Sequence, residues 1–433
     1  MRGVPPSLFE KVLARPEDTG PRLAIAERLE RKGDPRGEYI RLQCSAPTDR
    51  SSHRIDELER LHMQRWQRGV AGAVLSGFQR GFPVQATVSW ERFPRLADRL
   101  FRNPLTHGVL VGDVARVEEV LSSPHLSRLT ALELALDRAG AEMLAARDDL
   151  GGLRELRLRG SLGDDGLKAL ARGNLSPALL DLTENGIGPR GLAALSEASW
   201  SEGLSRLDLA RNPLGPSGFE VLARGEGLPG LQSLDLRNTN SSPEAVAGMA
   251  AGAPFPELRC LWLGRLQDVD PRFGDVGDEG AEAVASWLQS PEVLSIGFAQ
   301  VGDRGAEALA RAGWTGLREL ELRGNRIGET GAAALAQGRF DHLERLDLSY
   351  NQLGPHAMEL LAGCPLLSSL RWIGLMANPV PSLALTPARG SGEGPPGAEG
   401  RELRERFGFP SWLSIDRDPG TGARMEGMLT VRE

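Results

Sequence analysis

Between Leu129 and Val380 the chain repeats a single pattern, L-x-x-L-x-L-x-x-N-x-I-G-x-x-G-x-x-x-L. The clearest copy runs Leu317, Leu320, Leu322, Asn325, Ile327, Gly328, Gly331, Leu335. Others run Leu343, Leu346, Leu348, Asn351, Leu353, Gly354, Leu361 and Leu204, Leu207, Leu209, Asn212, Leu214, Gly215, Gly218, Leu222. The Asn role falls at 137, 161, 185, 212, 239, 266, 299, 325, 351 and 378, in steps of 24, 24, 27, 27, 27, 33, 26, 26 and 27. A unit this short cannot enclose its own core, so the copies must stack and share one. Within each copy, L-x-x-L-x-L sends leucines to one face of a short strand and the intervening residues to the other. A helix start follows. Proline sits near the first helical position at Pro189, Pro216, Pro243 and Pro355, where its missing N–H costs nothing. Elsewhere an acid stands there, as at Asp278, Asp303 and Glu329, favoured by the helix dipole. The recurring glycines, including Gly280, Gly305 and Gly331, read as small residues that let the helix approach the strand.

This pattern resembles leucine-rich repeats, in the Gly-rich form typical of the ribonuclease-inhibitor type. The resemblance implies an α/β leucine-rich repeat solenoid: a horseshoe with a concave parallel sheet and outer helices, here with a small N-terminal helical domain. It also implies that Asn185, Asn212, Asn325, Asn351 and Asn378 bond the backbone of adjoining turns, with Asp137, Ser161 and Thr239 as polar substitutes. Residues facing away from the leucines would line the concave surface in columns. The mid-strand column is Glu133, Arg157, Asp181, Asp208, Asp235, Trp262, Ser295, Glu321, Asp347 and Gly374. Two places on, it is Ala135, Arg159, Thr183, Ala210, Arg237, Gly264, Gly297, Arg323, Ser349 and Met376. Solvated, self-paired charges are the plain expectation for these columns.

Ahead of the repeats, residues 1–69 read as short helices. Leu8, Phe9, Val12 and Leu13 form one apolar stripe, and Leu23, Ile25, Ala26 and Leu29 a second, ended by Gly33-Asp34-Pro35. Residues 51–68 read as a polar amphipathic helix with Ile55, Leu58, Leu61 and Trp66. The string PRLAIAERLERKGDPRGEYIRLQ, above all Gly33 to Glu38 and Ile40-Arg41-Leu42-Gln43, resembles the repeat-companion domain that precedes leucine-rich repeats in bacterial proteins. It departs from that family at Ile25-Ala26-Glu27-Arg28-Leu29 and implies architecture rather than activity. Residues 70–128 are expected to open the solenoid with degenerate repeats, Phe82, Val84, Ala86 and Val88 alternating like a strand. The solenoid proper spans 129–385. Residues 386–400, TPARGSGEGPPGAEG, are expected to be a disordered linker. The tail 401–433 carries Trp412, Leu413 and Ile415 without a period.

Composition excludes several function classes. Residues 1–69 hold 14 basic and 11 acidic side chains and the remainder 37 and 47, so the repeat region is acidic. Phosphate affinity needs clustered positive charge; no nucleic-acid partner is expected, and basic proteins fit better. Cys44, Cys260 and Cys364 are odd in number and far apart, which suggests neither a disulfide framework nor a zinc site and suits a reducing cytoplasm. No secretion signal or 18-residue apolar run is present, so the expectation is a cytoplasmic protein with no membrane partner. Asp268, Asp270, Asp275 and Asp278 lack EF-hand spacing. There is no paired-His motif, Walker A loop, G-x-S-x-G or dinucleotide loop. No cofactor, metal or catalytic residue is expected. The bacterial leucine-rich repeat ubiquitin ligases need a catalytic Cys in a domain after the repeats, and no Cys follows Cys364.

The repeat breaks where Leu266 and Ala299 replace Asn and the step lengthens to 33 around residues 267–274. The same strands carry Cys260, Trp262, Val293 and Phe298 on the outward face. Rule-breaking collects at functional sites and exposed aromatics anchor interfaces. The expectation is a protein-partner site centred on Trp262 and Phe298, gated by the 267–275 loop and bordered by Arg237 and Arg323, with a second patch at Tyr350, Trp372 and Met376. On this reading Trp262→Ala weakens partner capture without lowering the melting temperature. The function expected is a non-catalytic, monomeric protein-interaction scaffold. The alternative is an inhibitor or activator of a specific enzyme such as a small GTPase, since the Ran GTPase-activating protein has the same repeat type; none of its residues map onto this chain.

Overall fold

The leucine alternation forms strands and the Gly/Pro or Gly/acid punctuation forms helices, repeat after repeat. A computed structural model describes residues 5–14, 18–45, 49–67, 73–89, 92–100, 108–112, 117–266, 274–379, 406–410 and 413–415. The chain divides into two units, Met1–Asp181 and Leu182–Glu433.

In the first unit, helices α1 (Pro6–Ala14), α2 (Thr19–Glu30), α3 (Arg36–Gln43) and α4 (Asp49–Gln67) precede an antiparallel hairpin of β1 (Ala73–Gln79) and β2 (Phe82–Ser89). Helix α5 (Phe93–Leu100), β3 (Gly108–Gly112), α6 (Val117–Leu121), β4 (Ala131–Asp137), α7 (Arg138–Ala145), β5 (Glu155–Ser161), α8 (Gly163–Ala171) and β6 (Leu179–Asp181) follow. Strands β2 to β6 pair in parallel, in chain order. The helices enclose Val12, Ile25, Ala26, Leu29, Ile40 and the hairpin's Phe82. Leu23, expected on that apolar stripe, is 39% exposed. Arg22 takes the inward place, its guanidinium 5.3 Å from the Phe82 ring centre, because 22, 25, 26 and 29 share one helical face and 23 lies off it. The Gly33–Glu38 run is structural. A Cβ on Gly37 would lie 2.5 Å from the Ala26 carbonyl oxygen, so glycine permits the α2–α3 crossing. Arg54 holds both Glu38 oxygens at 2.8 and 2.9 Å. The Gly81 N–H donates to Gln43 Oε1 at 2.6 Å, fastening the hairpin turn to α3.

The second unit contains α9 (Pro189–Ser196), β7 (Arg206–Asp208), α10 (Gly215–Ala223), β8 (Ser233–Asp235), α11 (Pro243–Ala251), β9 (Cys260–Gly264), α12 (Gly277–Trp287) and β10 (Val293–Gly297). It continues with α13 (Asp303–Arg311), β11 (Glu319–Glu321), α14 (Glu329–Gln337), β12 (Arg345–Asp347), α15 (Pro355–Ala362), β13 (Trp372–Gly374) and β14 (Ser414–Ile415). Strands β7 to β14 pair in parallel, each with the next. The last pair brings part of the tail onto the last repeat, with Phe409, Leu413 and Ile415 buried. The expected linker 386–400 lies outside the described residues.

Two ladders join successive turns of this unit. In the first, Asn351 Oδ1 accepts the Ile327 N–H of the turn before at 3.0 Å, while Nδ2 donates to Leu322 O of that turn and Leu348 O of its own at 2.9 and 3.1 Å. Asn212, Asn325 and Asn378 repeat this arrangement. The second ladder joins helices. Asp278 Oδ1 accepts the N–H groups of Gly302 and Gly305 at 2.7 and 2.9 Å, and Asp303 Oδ1 those of Gly328 and Gly331 at 2.7 and 2.9 Å. Each acid caps the next helix rather than only facing its own dipole. Gly331 follows from this, since a Cβ on it would meet Asp303 Oδ1 at 2.6 Å and Ile327 at 2.8 Å. At Gly331 the glycine makes room for the neighbouring turn's carboxylate, whereas at Gly218 and Gly280 a Cβ would meet Leu214 and Val276, four residues back in the same turn, at 2.7 Å.

Asn351→Ala leaves the buried Ile327 N–H without its partner, while Leu322 O and Leu348 O keep the amides of Asn325 and Asn378, and should cost about 1–3 kcal/mol. Asp303→Ala, losing a cap at a helix start, should cost about 1–2 kcal/mol. Urea unfolding checks both; wild-type midpoints in either variant would refute the corresponding ladder.

Candidate functional site: the outward strand face of the second unit

Strand registry turns the sequence columns into a surface. Across β7 to β13 the mid-strand row runs Asp208, Asp235, Trp262, Ser295, Glu321, Asp347, Gly374. The row before it runs Arg206, Ser233, Cys260, Val293, Glu319, Arg345, Trp372.

Beyond the strands, in each turn but that of Leu266, the residue immediately before the Asn position is left-handed, with a second such residue at Asn240 and Gln300. Arg211, Asn238, Phe298, Gly324, Tyr350 and Ala377 have φ of 58°, 59°, 51°, 69°, 57° and 56°. For a side-chain-bearing residue this costs roughly 1–2 kcal/mol. Two of them are aromatic. Phe298 and Tyr350 stand either side of Gly324, and a Cβ on Gly324 would lie 2.2 Å from the Phe298 ring. The glycine lets the two rings approach, to 6.4 Å between centres. Arg323 fills the remaining space, its guanidinium 4.7 Å from the Tyr350 centre and 6.0 Å from that of Phe298, within cation–π range. Tyr350 and Met376 are each 37% exposed, with the phenol oxygen 4.0 Å from the Met376 sulfur.

The aromatics expected together are thus separated by burial. Trp262 is 6% exposed and Trp372 8%, so neither ring is an open anchor. Strand alternation correctly turns them outward, but says nothing of what covers them. Trp372 lies opposite Ser414 of β14, and the Arg345 guanidinium sits 4.6 Å from its ring centre. Phe298, Cys260 and Val293 are half-buried. The proposed 267–275 gate falls mostly on residues outside those described. The missed Asn at Leu266 has a substitute, since Asn238 Oδ1 accepts the Leu266 N–H at 2.8 Å. Burial, and then the nearby Glu292, push the Cys260 thiol up to about 12.

The charges are partly self-paired. In the first unit Arg159 grips Asp181 with two bonds of 2.6 and 2.7 Å. In the second, Arg237 binds Asp235 through its backbone N–H and its guanidinium. Burial would lower the Arg237 pKa, but Asp235, with Glu321 and Asp208 behind it, raises it above the ordinary arginine value. Glu321 goes the other way. Burial lifts its carboxyl above the usual range and Asp347 adds to this, against Ser295, Arg237 and Arg323. A cavity of about 420 Å³ lies elsewhere, at the strand starts, lined by Arg259, Gln289, Glu292, Arg318 and His342 among others. Its arginines are paired with Glu292 and Glu344. Among the described residues no three His, Cys, Asp or Glu side chains gather as a metal site, and no helix is long and apolar enough to cross a membrane.

The class this geometry defines is an α/β solenoid of stacked strand–helix turns, whose long outward strand face suits binding. More particularly, the turns are leucine-rich repeats: the family described as Leucine Rich repeat matches residues 179–196, 292–310, 316–336 and 342–362. No curated protein matches the chain. Among solved structures, an internalin (inlF) from Listeria monocytogenes is 19% identical, covering 64% of this chain and 83% of its own with a TM-score of 0.37. The yeast Rad7 and Elc1 complex gives 16% identity, 76% and 87% coverage and a TM-score of 0.44.

Three outcomes are expected. Trp262→Ala should lower stability by roughly 3–5 kcal/mol, reversing the expectation drawn from the sequence. Iodoacetamide at pH 8 should alkylate native Cys260 roughly tenfold or more slowly than a free thiol, because the thiolate is the nucleophile. Glu321→Gln should raise the urea midpoint at pH 7.5. Because the folded carboxyl holds its proton to higher pH than the unfolded one, wild-type stability falls as pH rises through the folded pKa. The variant's advantage should therefore shrink toward pH 4.5; an advantage constant with pH would refute this.

Proposed function

We propose that this chain is a non-catalytic scaffold that binds a protein partner on the outward strand face of its second unit. The observation that carries the reading is the Phe298–Arg323–Tyr350–Met376 cluster. Two aromatic residues occupy backbone positions that disfavour side chains, and the outermost, Tyr350 and Met376, stay open to solvent. The left-handed residue recurs along the unit; what singles out this place is that aromatic rings stand on it beside an exposed thioether, the kind of anchor recognition uses. Cys260, Trp262, Val293, Arg237 and Trp372 serve as the supporting floor. The scaffold is cytoplasmic and monomeric, with residues 1–69 as a repeat-companion domain of the bacterial kind. It takes neither nucleic acid nor membrane, in keeping with an acidic repeat region.

A photo-cross-linking residue at position 376 tests this, with one at Glu220 on α10 as the comparison. Capture from 376 but not from 220, lost in Tyr350→Ala at an unchanged melting temperature, is the expected result. Equal capture from both positions, or indifference to Tyr350→Ala, would refute the assignment.

A further inference from the structure

The chemistry of the partner can be taken one step further, on the reading that this face is where it binds. Glu321 and Asp347 hold the same register position on β11 and β12, neighbours about 4.8 Å apart by backbone spacing. Both are half-buried. Their hydrogen-bond donors are neutral: Ser295 Oγ reaches Glu321 Oε2 at 2.7 Å, and the Ser349 N–H reaches Asp347 Oδ1 at 2.9 Å. Among the described residues neither carboxylate lies in an ion pair. Arg237 is held by Asp235, Arg345 by Glu319, and Arg323 lies against the two aromatic rings; Arg237 and Arg323 favour the charged form of Glu321 without outweighing its burial. The flanking strands offer glycines. A Cβ on Gly297 would lie 3.5 Å from Glu321 Oε1, and one on Gly374 2.4 Å from Asp347 Oδ1. Like charges directly opposite on adjacent strands repel, and partial burial strengthens the repulsion. An arriving cation would relieve it.

Beside this pair stand the exposed Tyr350 ring and Met376 thioether. Paired acids next to an apolar step call for a side chain with a charged head and an apolar stem. A guanidinium, with five N–H donors in a planar fork, can bridge two carboxylates where a point-charge ammonium cannot. We propose that the partner presents an arginine-bearing extended segment, its guanidinium bridging Glu321 and Asp347 and its apolar neighbours lying on Tyr350 and Met376.

Fluorescein-labelled Leu-Arg-Leu-Arg-Leu, compared with the same peptide bearing citrulline in place of arginine, tests this by anisotropy at low salt. Citrulline keeps the shape and removes the charge. The arginine peptide should bind roughly tenfold tighter or more. Glu321→Gln/Asp347→Asn should reduce it to the citrulline level, while Glu197→Gln/Glu220→Gln, just after α9 and on α10, should leave it unchanged. Tyr350→Ala should weaken both peptides alike. Equal binding of the two peptides, or equal losses in the two double variants, overturns the inference; the latter would mean general attraction to an acidic protein. With cross-linking from position 376 intact, such a result removes the arginine and leaves the binding face standing. Failure of that cross-link removes both.

Discussion

The amide of the recurrent asparagine, present at 212, 325, 351 and 378 and replaced by Thr239, Leu266 and Ala299 between them, is the interaction on which most of the second unit rests. The coil between strand and helix leaves backbone N–H and C=O groups in the interior with no regular ladder to join. A buried group left so costs about 1–3 kcal/mol. The Asn amide offers one acceptor and two donors, and it divides them between its own turn and the one before. Each turn is therefore satisfied only when a neighbour is present. Hydrophobic burial draws the turns together without direction; the amide sets the register. Asp278 and Asp303 do for two of the helices what the asparagines do for the coil, and Gly305 and Gly331 leave that carboxylate room.

This division explains what was legible in the sequence. Leucine, asparagine and glycine positions face the interior or a close approach, where few residue types fit, so they recur and can be read. The left-handed position before the Asn is equally fixed in backbone, yet reads Arg, Asn, Phe, Gly, Tyr and Ala along the unit. Its side chain points away from the core, so almost any residue satisfies it at a modest local cost. No recurring letter betrays it, although it sets where Phe298 and Tyr350 stand. The outward rows were legible in direction but not in cover. Alternation turns Trp262 and Trp372 off the leucine face; it cannot show that both are buried. The tail's pairing with β13 was hidden because two residues of strand leave no period.

The first unit teaches a related lesson about motif and role. The Gly-Asp-Pro-Arg-Gly-Glu run has the look of a functional signature. Its residues are nonetheless occupied locally: Gly37 by a helix crossing, Glu38 by Arg54, Asp34 by the Arg36 N–H. The same helix fastens the hairpin through Gln43. A specific string can be demanded by how helices cross rather than by a ligand.

On the strand face the opposite holds, because the residues that stand out are those the fold does not need. A solenoid turn works equally well with Asn, Gly or Ala at the left-handed position, as its own copies at 238, 324 and 377 show. Placing Phe and Tyr there gains no core burial for Tyr350, which stays open to solvent. Bringing two carboxylates into register costs a repulsion that Arg237 and Arg323 offset only in part, since burial still leaves Glu321 reluctant to ionise. Stability alone would select against each feature singly. Their meeting on adjacent strands, with glycines clearing the space between, is coherent if a second molecule completes the surface, its apolar part relieving Tyr350 and its positive charge relieving Glu321 and Asp347.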